Sequence, residues 1–428
     1  MNTPIRLGIA GLGTVGVGII KIIQQQANLL ANRTGRNIEI AAVSALTRHK
    51  DRGVSLNDVV WENSPDALAK RDDIDIFVEV IGGSEGVAKQ STKAALDAGK
   101  DVVTANKALI AIHGQELAEK AEARNCSILY EAAVAGGIPI IKTIREGLAG
   151  NQISRVLGVI NGTCNYILTR MEQDNLSYQD AFNEADELNY LEADPSLDVG
   201  GIDSAHKLAI LSAVAFGTQP DFQSIEVAGI ERINIDDIHA AADMGFKIKL
   251  LGVTQCDSDG LIQRVHPCLV PATSPLGQID GGTNMVVIEG DSVGRLVLQG
   301  LGAGQSPTAS AIVSDICDLA LGQRRPIFGR PSKSLIQARR NSHERSAPYY
   351  MRLSLLDQTG ALARVTSILA ENGISIDRMR QYGHSGEYAP VLIVTHKSLR
   401  TPLNRALKAL AATKDVVEAP IALKIELP

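Results

Sequence analysis

Apolar positions in the first third of the chain fall in short unbroken runs, separated by stretches with helical spacing. Residues 5–10 read as a strand, and Val15, Val17, Ile19, Ile20 and Ile23 open a helix directly behind it. Further strands are predicted over 38–43, 74–80, 101–104 and 127–131. Helices are predicted over 85–98, closed by Gly99, and over 108–124. This alternation predicts an α/β fold with a Rossmann-like, doubly wound parallel sheet. Ligands of such a sheet sit at the carboxyl ends of its strands.

After Gly136-Gly137 the texture changes. One strand (153–160) precedes helices over 164–173, 178–189 and 203–216, and a run of strands follows over 248–254, 261–270, 283–289 and 293–301. Strands grouped apart from helices predict an α+β second domain. Residues 321–347 carry Arg324-Arg325, Arg330, Lys333, Arg339-Arg340 and prolines without an apolar period, and read as a solvated linker. From Tyr349 the pattern resets. A strand (351–355), a turn at Asp357-Gln358-Thr359-Gly360 and a helix lined by Leu362, Val365, Ile368 and Leu369 come first. Strands 374–381 and 390–396, helix 403–411 and strand 416–426 complete a ferredoxin-like βαββαβ unit. The expected division is 1–135 for dinucleotide binding, completed by about 303–322, and 136–302 for substrate binding and oligomerisation. A linker over 323–347 and a separate, dispensable regulatory unit over 348–428 follow.

Composition removes several function classes. With 428 residues and a formal net charge of −6, the chain has no electrostatic case for nucleic acid or an anionic membrane as partner. The five cysteines are scattered without a CxxC pair, which reads as reduced thiols in a cytoplasmic protein. No apolar run is long enough to span a bilayer.

The chemistry begins at Gly11-Leu-Gly13-Thr14-Val15-Gly16, between the first strand and the first helix. Gly11 permits the tight turn, Gly13 leaves room for a pyrophosphate, and Gly16 lets helix and strand approach. The helix N-terminus then faces the phosphates. A NAD site usually places an acid at the end of the second strand, but Val43 is followed by no acid before Asp51. Arg48 instead offers a fork for a 2′-phosphate, so NADP is favoured over NAD. Asp203 and Lys207 lie four apart on one helix face. Glu192, Asp194 and Asp198 gather beside the same helix start, an excess of carboxylates that points to an amine-binding site.

Several segments together resemble homoserine dehydrogenases. They are the glycine motif, Thr104-Ala-Asn-Lys107, Tyr130-Glu131-Ala-Ala-Val134-Ala-Gly136-Gly-Ile138-Pro, Asn161-Gly162-Thr163-Cys-Asn-Tyr, Glu187-Leu-Asn-Tyr190-Leu-Glu192-Ala-Asp194-Pro, Gly201-Ile-Asp203-Ser-Ala-His-Lys207 and Gly302-Ala-Gly304-x-x-Pro307. The region after Tyr349 resembles an ACT domain, an amino-acid-sensing module. The resemblance implies interconversion of L-homoserine and L-aspartate 4-semialdehyde with NADP or NAD. It implies Lys207 as acid/base, Lys107 as a second proton-transfer or orienting group, and Glu192, Asp203, Asp198, Thr163 and Tyr190 as substrate ligands. Cofactor contacts are implied at Gly11, Gly13, Thr14, Val15, Gly16, Arg48, Lys107, Asn189, Glu192 and Gly304. Asn189 replaces the family's usual glycine. A monovalent cation such as Na⁺ is implied at Glu131, Val134, Gly136 and Ile138, threonine as effector, and a homodimer or homotetramer as the assembly. Two other readings stand beside this one: a dehydrogenase for a different amino-acid-derived substrate, and a catalytically inert amino-acid-binding regulator.

Overall fold

A computed structural model describes residues 3–188, 190–191, 194–341, 345–381 and 388–427. The N-terminal sheet is six-stranded. Its strands β1 (Ile5–Ala10), β2 (Ile38–Ser44), β3 (Val60–Trp61), β4 (Ile76–Glu79), β5 (Asp101–Thr104) and β6 (Ile128–Leu129) run parallel in the order β3-β2-β1-β4-β5-β6. The order reverses direction between β1 and β4, which is the switch point where a doubly wound sheet receives its ligand. The expected strand over 127–131 stops at Leu129. Glu131 instead enters a 3₁₀ turn, its N–H donating to Asp315 at 2.8 Å.

The second sheet is ten-stranded. It contains β7 (Ile153–Val159), β8 (Glu226–Val227), β9 (Phe246–Asp257), β10 (Gly260–Pro271), β11 (Thr283–Gly290) and β12 (Gly294–Leu301). To these the C-terminal unit adds β13 (Tyr349–Leu356), β14 (Ile376–Gln381), β15 (Tyr388–Thr395) and β16 (Ile421–Ile425). The main path is β12-β11-β7-β9-β10-β16-β13-β15-β14. The tail therefore shares a sheet with the catalytic body, which corrects the picture of a unit standing apart. Strand β16 pairs in parallel with β10 at Cys268 and Leu269, and antiparallel with β13.

Charged side chains reinforce this junction. The buried Glu426 carboxylate binds Arg155 of β7, Arg264 of β10 at 2.7 Å and Lys424 at 2.9 Å. Burial alone would raise its pKa, but the three cations outweigh that and hold it below the ordinary value. Asp237, at the start of helix Ile235–Asp243, is likewise fully buried and binds Arg352 of β13 at 2.7 Å.

The segment read as a solvated linker is mostly exposed, but it is pinned to the body at a few points. Ile327 and Phe328 are buried, Tyr130 donates its hydroxyl proton to the Ile327 carbonyl at 2.7 Å, and Arg324 grips Asp101 at 2.9 Å. Ser332 donates from both its N–H and its hydroxyl to Glu122. One aliphatic and one aromatic side chain, an ion pair and a few hydrogen bonds suffice to pin a strap that has no periodicity of its own. Among the described residues no helix is long and apolar enough to cross a membrane.

Candidate active site

The glycine turn has the geometry its spacing predicts. Gly11 has φ +104°, and a Cβ there would lie 2.5 Å from the Val80 carbonyl oxygen. A Cβ on Gly16 would collide with the Gly11 carbonyl, whereas one on Gly13 would meet nothing within 4 Å. The first and third glycines are thus required by packing, while the second leaves an open face for an incoming phosphate. Helix Thr14–Gln25 begins there without a side-chain cap, so its first N–H groups remain available to an anion.

Between this turn and the second domain lies a cleft of about 580 Å³. Val15, Lys107, Asn161, Thr163, Tyr190, Asp198, Asp203, Lys207, Gly282 and the returning segment 301–304 are among its lining residues. Helix Ile202–Phe216 places Asp203 in its first turn and Lys207 one turn later on the same face. The Lys207 ammonium donates to Asp203 Oδ2 at 2.7 Å and to the Ile160 carbonyl at 2.8 Å. Lys107 opens helix Lys107–Ala123 and reaches Asp203 Oδ1 at 2.8 Å. One buried carboxylate therefore spans two lysines from two domains. Burial opposes its ionisation, yet the Lys207 and Lys107 charges outweigh it and hold Asp203 well below the usual carboxylate range.

Asn161 completes the cluster and has no role in the sequence reading beyond its place in a motif. It caps helix Gly162–Asp174 by accepting from the Cys164 N–H, and its amide donates at 2.9 Å to both Asp198 and Asp203. Thr163 donates to the Tyr190 carbonyl at 2.8 Å, and the Tyr190 ring stacks on Tyr166 at 4.5 Å.

Each described carboxylate of this group also has a partner within the fold. Asp194 caps helix Pro195–Val199, Asp198 is held by Asn161, and Asp203 already faces two ammonium groups. Glu192 and Asn189 lie outside the described residues.

Other expected residues are placed apart. Arg48 is exposed, its guanidinium 5.8 Å from the Trp61 ring. Arg52, which the sequence reading passed over, flanks the same ring at 5.5 Å and donates to the Leu12 carbonyl of the glycine turn at 3.2 Å. Glu131 sits behind the cleft, accepting at 2.8 Å from the N–H groups of Ile141 and Lys142. Burial, then the Asp315 charge, pushes its carboxyl up to about 7. Ala135 and Gly136 turn the backbone left-handed between Val134 and Ile138, and the Ile138 carbonyl already accepts from Ile140. No cluster of three or more His, Cys, Asp or Glu is found among the described residues. Gly304, at the N-terminus of helix Gln305–Ala320, joins the cleft wall, and Gln305 bonds the Thr14 carbonyl at 3.1 Å.

Comparison with known proteins follows the same division. Residues 11–131 match the NAD-binding domain of homoserine dehydrogenases, 139–317 the homoserine dehydrogenase catalytic domain, and 349–413 the ACT domain. The chain is 39% identical to a homoserine dehydrogenase of Neisseria gonorrhoeae over 98% of both chains, and 35% identical to one of Bacillus subtilis over 99% of this chain and 98% of that one. Among solved structures it is similar to a homoserine dehydrogenase from Thiobacillus denitrificans, with a TM-score of 0.92, 37% identity and coverage of 99% of this chain and 98% of the other. A hyperthermophilic archaeal homoserine dehydrogenase in complex with NADPH matches with a TM-score of 0.64 and 29% identity, over 74% of this chain and 98% of that chain.

Proposed function

The chain belongs to the homoserine dehydrogenase family, and from that premise we propose that Lys207 moves the proton in the interconversion of L-homoserine and L-aspartate 4-semialdehyde. The enzyme is an NAD(P)-dependent oxidoreductase acting on a CH–OH group. The observation that carries the proposal is the Lys107–Asp203–Lys207 cluster, which faces the open side of the glycine turn across one cleft. When bound, the nicotinamide supplies or accepts the hydride. The chain supplies the proton chemistry. Among the described residues two of the three Lys207 N–H groups are committed to Ile160 and Asp203, which leaves one to meet a substrate oxygen. In oxidation the amine takes the hydroxyl proton as the carbonyl forms; in reduction the ammonium meets the developing alkoxide. Asp203 and Asp198, with Thr163 and the Tyr190 backbone, line the place where the amino-acid end of the substrate would lie.

Finer points of this reading are NADP preference, through Arg48 and Arg52 around Trp61, and a monovalent cation at Glu131, Val134, Gly136 and Ile138. The cation would share Glu131 with two N–H groups and Ile138 with one, so the fit is partial. A cytoplasmic homodimer or homotetramer and a threonine-sensing ACT domain complete it. Strand β12 supports the assembly: among the described residues it pairs with β11 alone, and it exposes Val297. Absorbance of the reduced nicotinamide, followed with homoserine and each cofactor, tests the whole reading, and added threonine tests the effector. Arg48→Ala and Arg52→Ala should raise the KM for NADP relative to that for NAD; an unchanged ratio in both removes the preference.

A further inference from the structure

Glu79 ends β4 beside the switch point and has no accessible surface. A carboxylate in that position usually has a cation against it. Among the described residues Glu79 forms no ion pair; its partners are neutral. Oε1 accepts from the Ile81 and Gly82 N–H groups at 2.8 and 3.0 Å, and Oε2 accepts from the Thr104 hydroxyl at 2.5 Å.

The contacts continue beyond Thr104. Its hydroxyl accepts from the Asn106 N–H at 2.9 Å, and the Asn106 amide donates to the Gly83 carbonyl at 2.7 Å. Asn106 also caps the next helix by accepting from the Leu109 N–H at 3.1 Å. Glu79, the loop 81–83, Asn106 and Thr104 thus close a ring that joins the loop after β4 to the turn after β5. The next residue is Lys107. Ala105 and Lys107 line the cleft, while Glu79, Thr104 and Asn106 stand behind it.

We propose that Glu79 is a positioning residue for the dehydrogenase reaction, acting through Thr104 and Asn106 to fix the turn that presents Lys107 to Asp203. The proposal rests on the reading of Lys107 as part of the reacting site. Donor direction explains why a carboxylate is needed. Thr104 has one proton, and because its oxygen already accepts from Asn106, that proton must go to an acceptor. An amide at position 79 has one acceptor oxygen, so in either orientation its NH2 would face a donor, the Thr104 hydroxyl on one side or the Ile81 and Gly82 N–H groups on the other.

The test uses the full chain and steady-state kinetics. Thr104→Val removes the hydroxyl bridge between Glu79 and the Asn106 N–H but leaves the Ile81 and Gly82 bonds to Glu79 and the Asn106–Gly83 bond. It should lower kcat by roughly 10- to 100-fold, the scale of a small misplacement of a reacting group, with the cofactor KM little changed and the melting temperature lowered, because Glu79 Oε2 and the Asn106 N–H lose a buried partner. Thr104→Ser should return kcat to within roughly threefold of wild type. Glu79→Gln should resemble Thr104→Val if it folds. The deciding measurement is the double variant Thr104→Val/Lys107→Ala. If Thr104 acts through Lys107, the double is no slower than Lys107→Ala alone. Losses that multiply, or wild-type turnover in Thr104→Val, overturn the proposal. Wild-type turnover in Lys107→Ala would instead overturn the reading of Lys107 on which it rests.

Discussion

Lys207 and Lys249 are buried in the same domain and are held in similar ways. Each ammonium donates to one main-chain carbonyl and one side-chain oxygen: Ile160 and Asp203 for Lys207, Ile279 and Asn165 for Lys249. The difference lies in the partner's charge and in access. Lys207 binds a carboxylate and is 9% exposed toward the cleft. Lys249 is 1% exposed, binds neutral oxygens, and has its nearest acid, Asp280, at 3.8 Å. Burial accordingly pushes the Lys249 pKa down to about 8, with only partial relief from Asp280. A readily lost proton is useless to a substrate that cannot reach it. What Lys249 does instead is support: with Asn165, whose amide donates to the Gly281 carbonyl at 2.8 Å, it fixes the loop that brings Gly282 to the cleft wall. On the proposed function, the comparison separates a lysine placed to work on the substrate from one that shapes the wall.

The largest expected effect comes from the first of the pair. Lys207→Ala should lower kcat by roughly 10²–10⁴-fold, the range for a general acid–base group, with cofactor affinity and thermal unfolding nearly unchanged. Near-normal turnover would break the contrast outright. Lys249→Met should do the converse. By leaving the Asn165 and Ile279 oxygens without their donor it should cost about 1–3 kcal/mol in urea unfolding, while kcat falls less than roughly tenfold. A large kcat loss at full stability would put Lys249 among the reacting groups.

A smaller effect at each pH unit sharpens the contrast further. The folded pKa of Lys249, about 8, lies below the ordinary 10.5, so between these values the unfolded chain binds more protons than the folded one. Stability relative to Lys249→Met should therefore rise with pH across that window, by roughly 1.4 kcal/mol per unit at most. It should be flat below about 8 and above about 10.5, the gain being lost as pH falls across that window. Unfolding curves of both proteins at several pH values measure it, and a slope of opposite sign would show that the ammonium is stabilised by the fold.

Why one lysine was legible and the other was not follows from what a sequence can encode locally. Asp203 and Lys207 lie on consecutive turns of one helix, so their pairing is a matter of spacing, as are the three roles of Gly11, Gly13 and Gly16. Lys249 reads as one of two lysines in a strand pattern, because the Asn165 and Ile279 that bury it come from distant segments. Glu79 looked like one more strand residue for the same reason: its donors belong to two different loops. The doubly wound sheet and the βαββαβ tail were legible from period and punctuation. The pinned strap around Phe328 was not, since a slot between Gly114, Tyr130 and Pro220 exists only once the domains have met. The joining of the tail to the second domain's strands was equally hidden, because a two-residue ladder leaves no periodicity behind.

That ladder has a consequence for how the protein is made. Strand β16 occupies the interior of the ten-stranded sheet, yet it is translated about 150 residues after β10, the strand it covers. At typical rates of synthesis the delay is on the order of 10 s. Throughout it, the part of β10 that β16 will cover carries unsatisfied backbone groups, and Arg155 and Arg264 await Glu426. A nascent body can bury its cleft and its glycine turn in that time, but its sheet keeps an open flank that another chain could occupy. Interruption late in translation should therefore yield aggregation before it yields an unregulated enzyme.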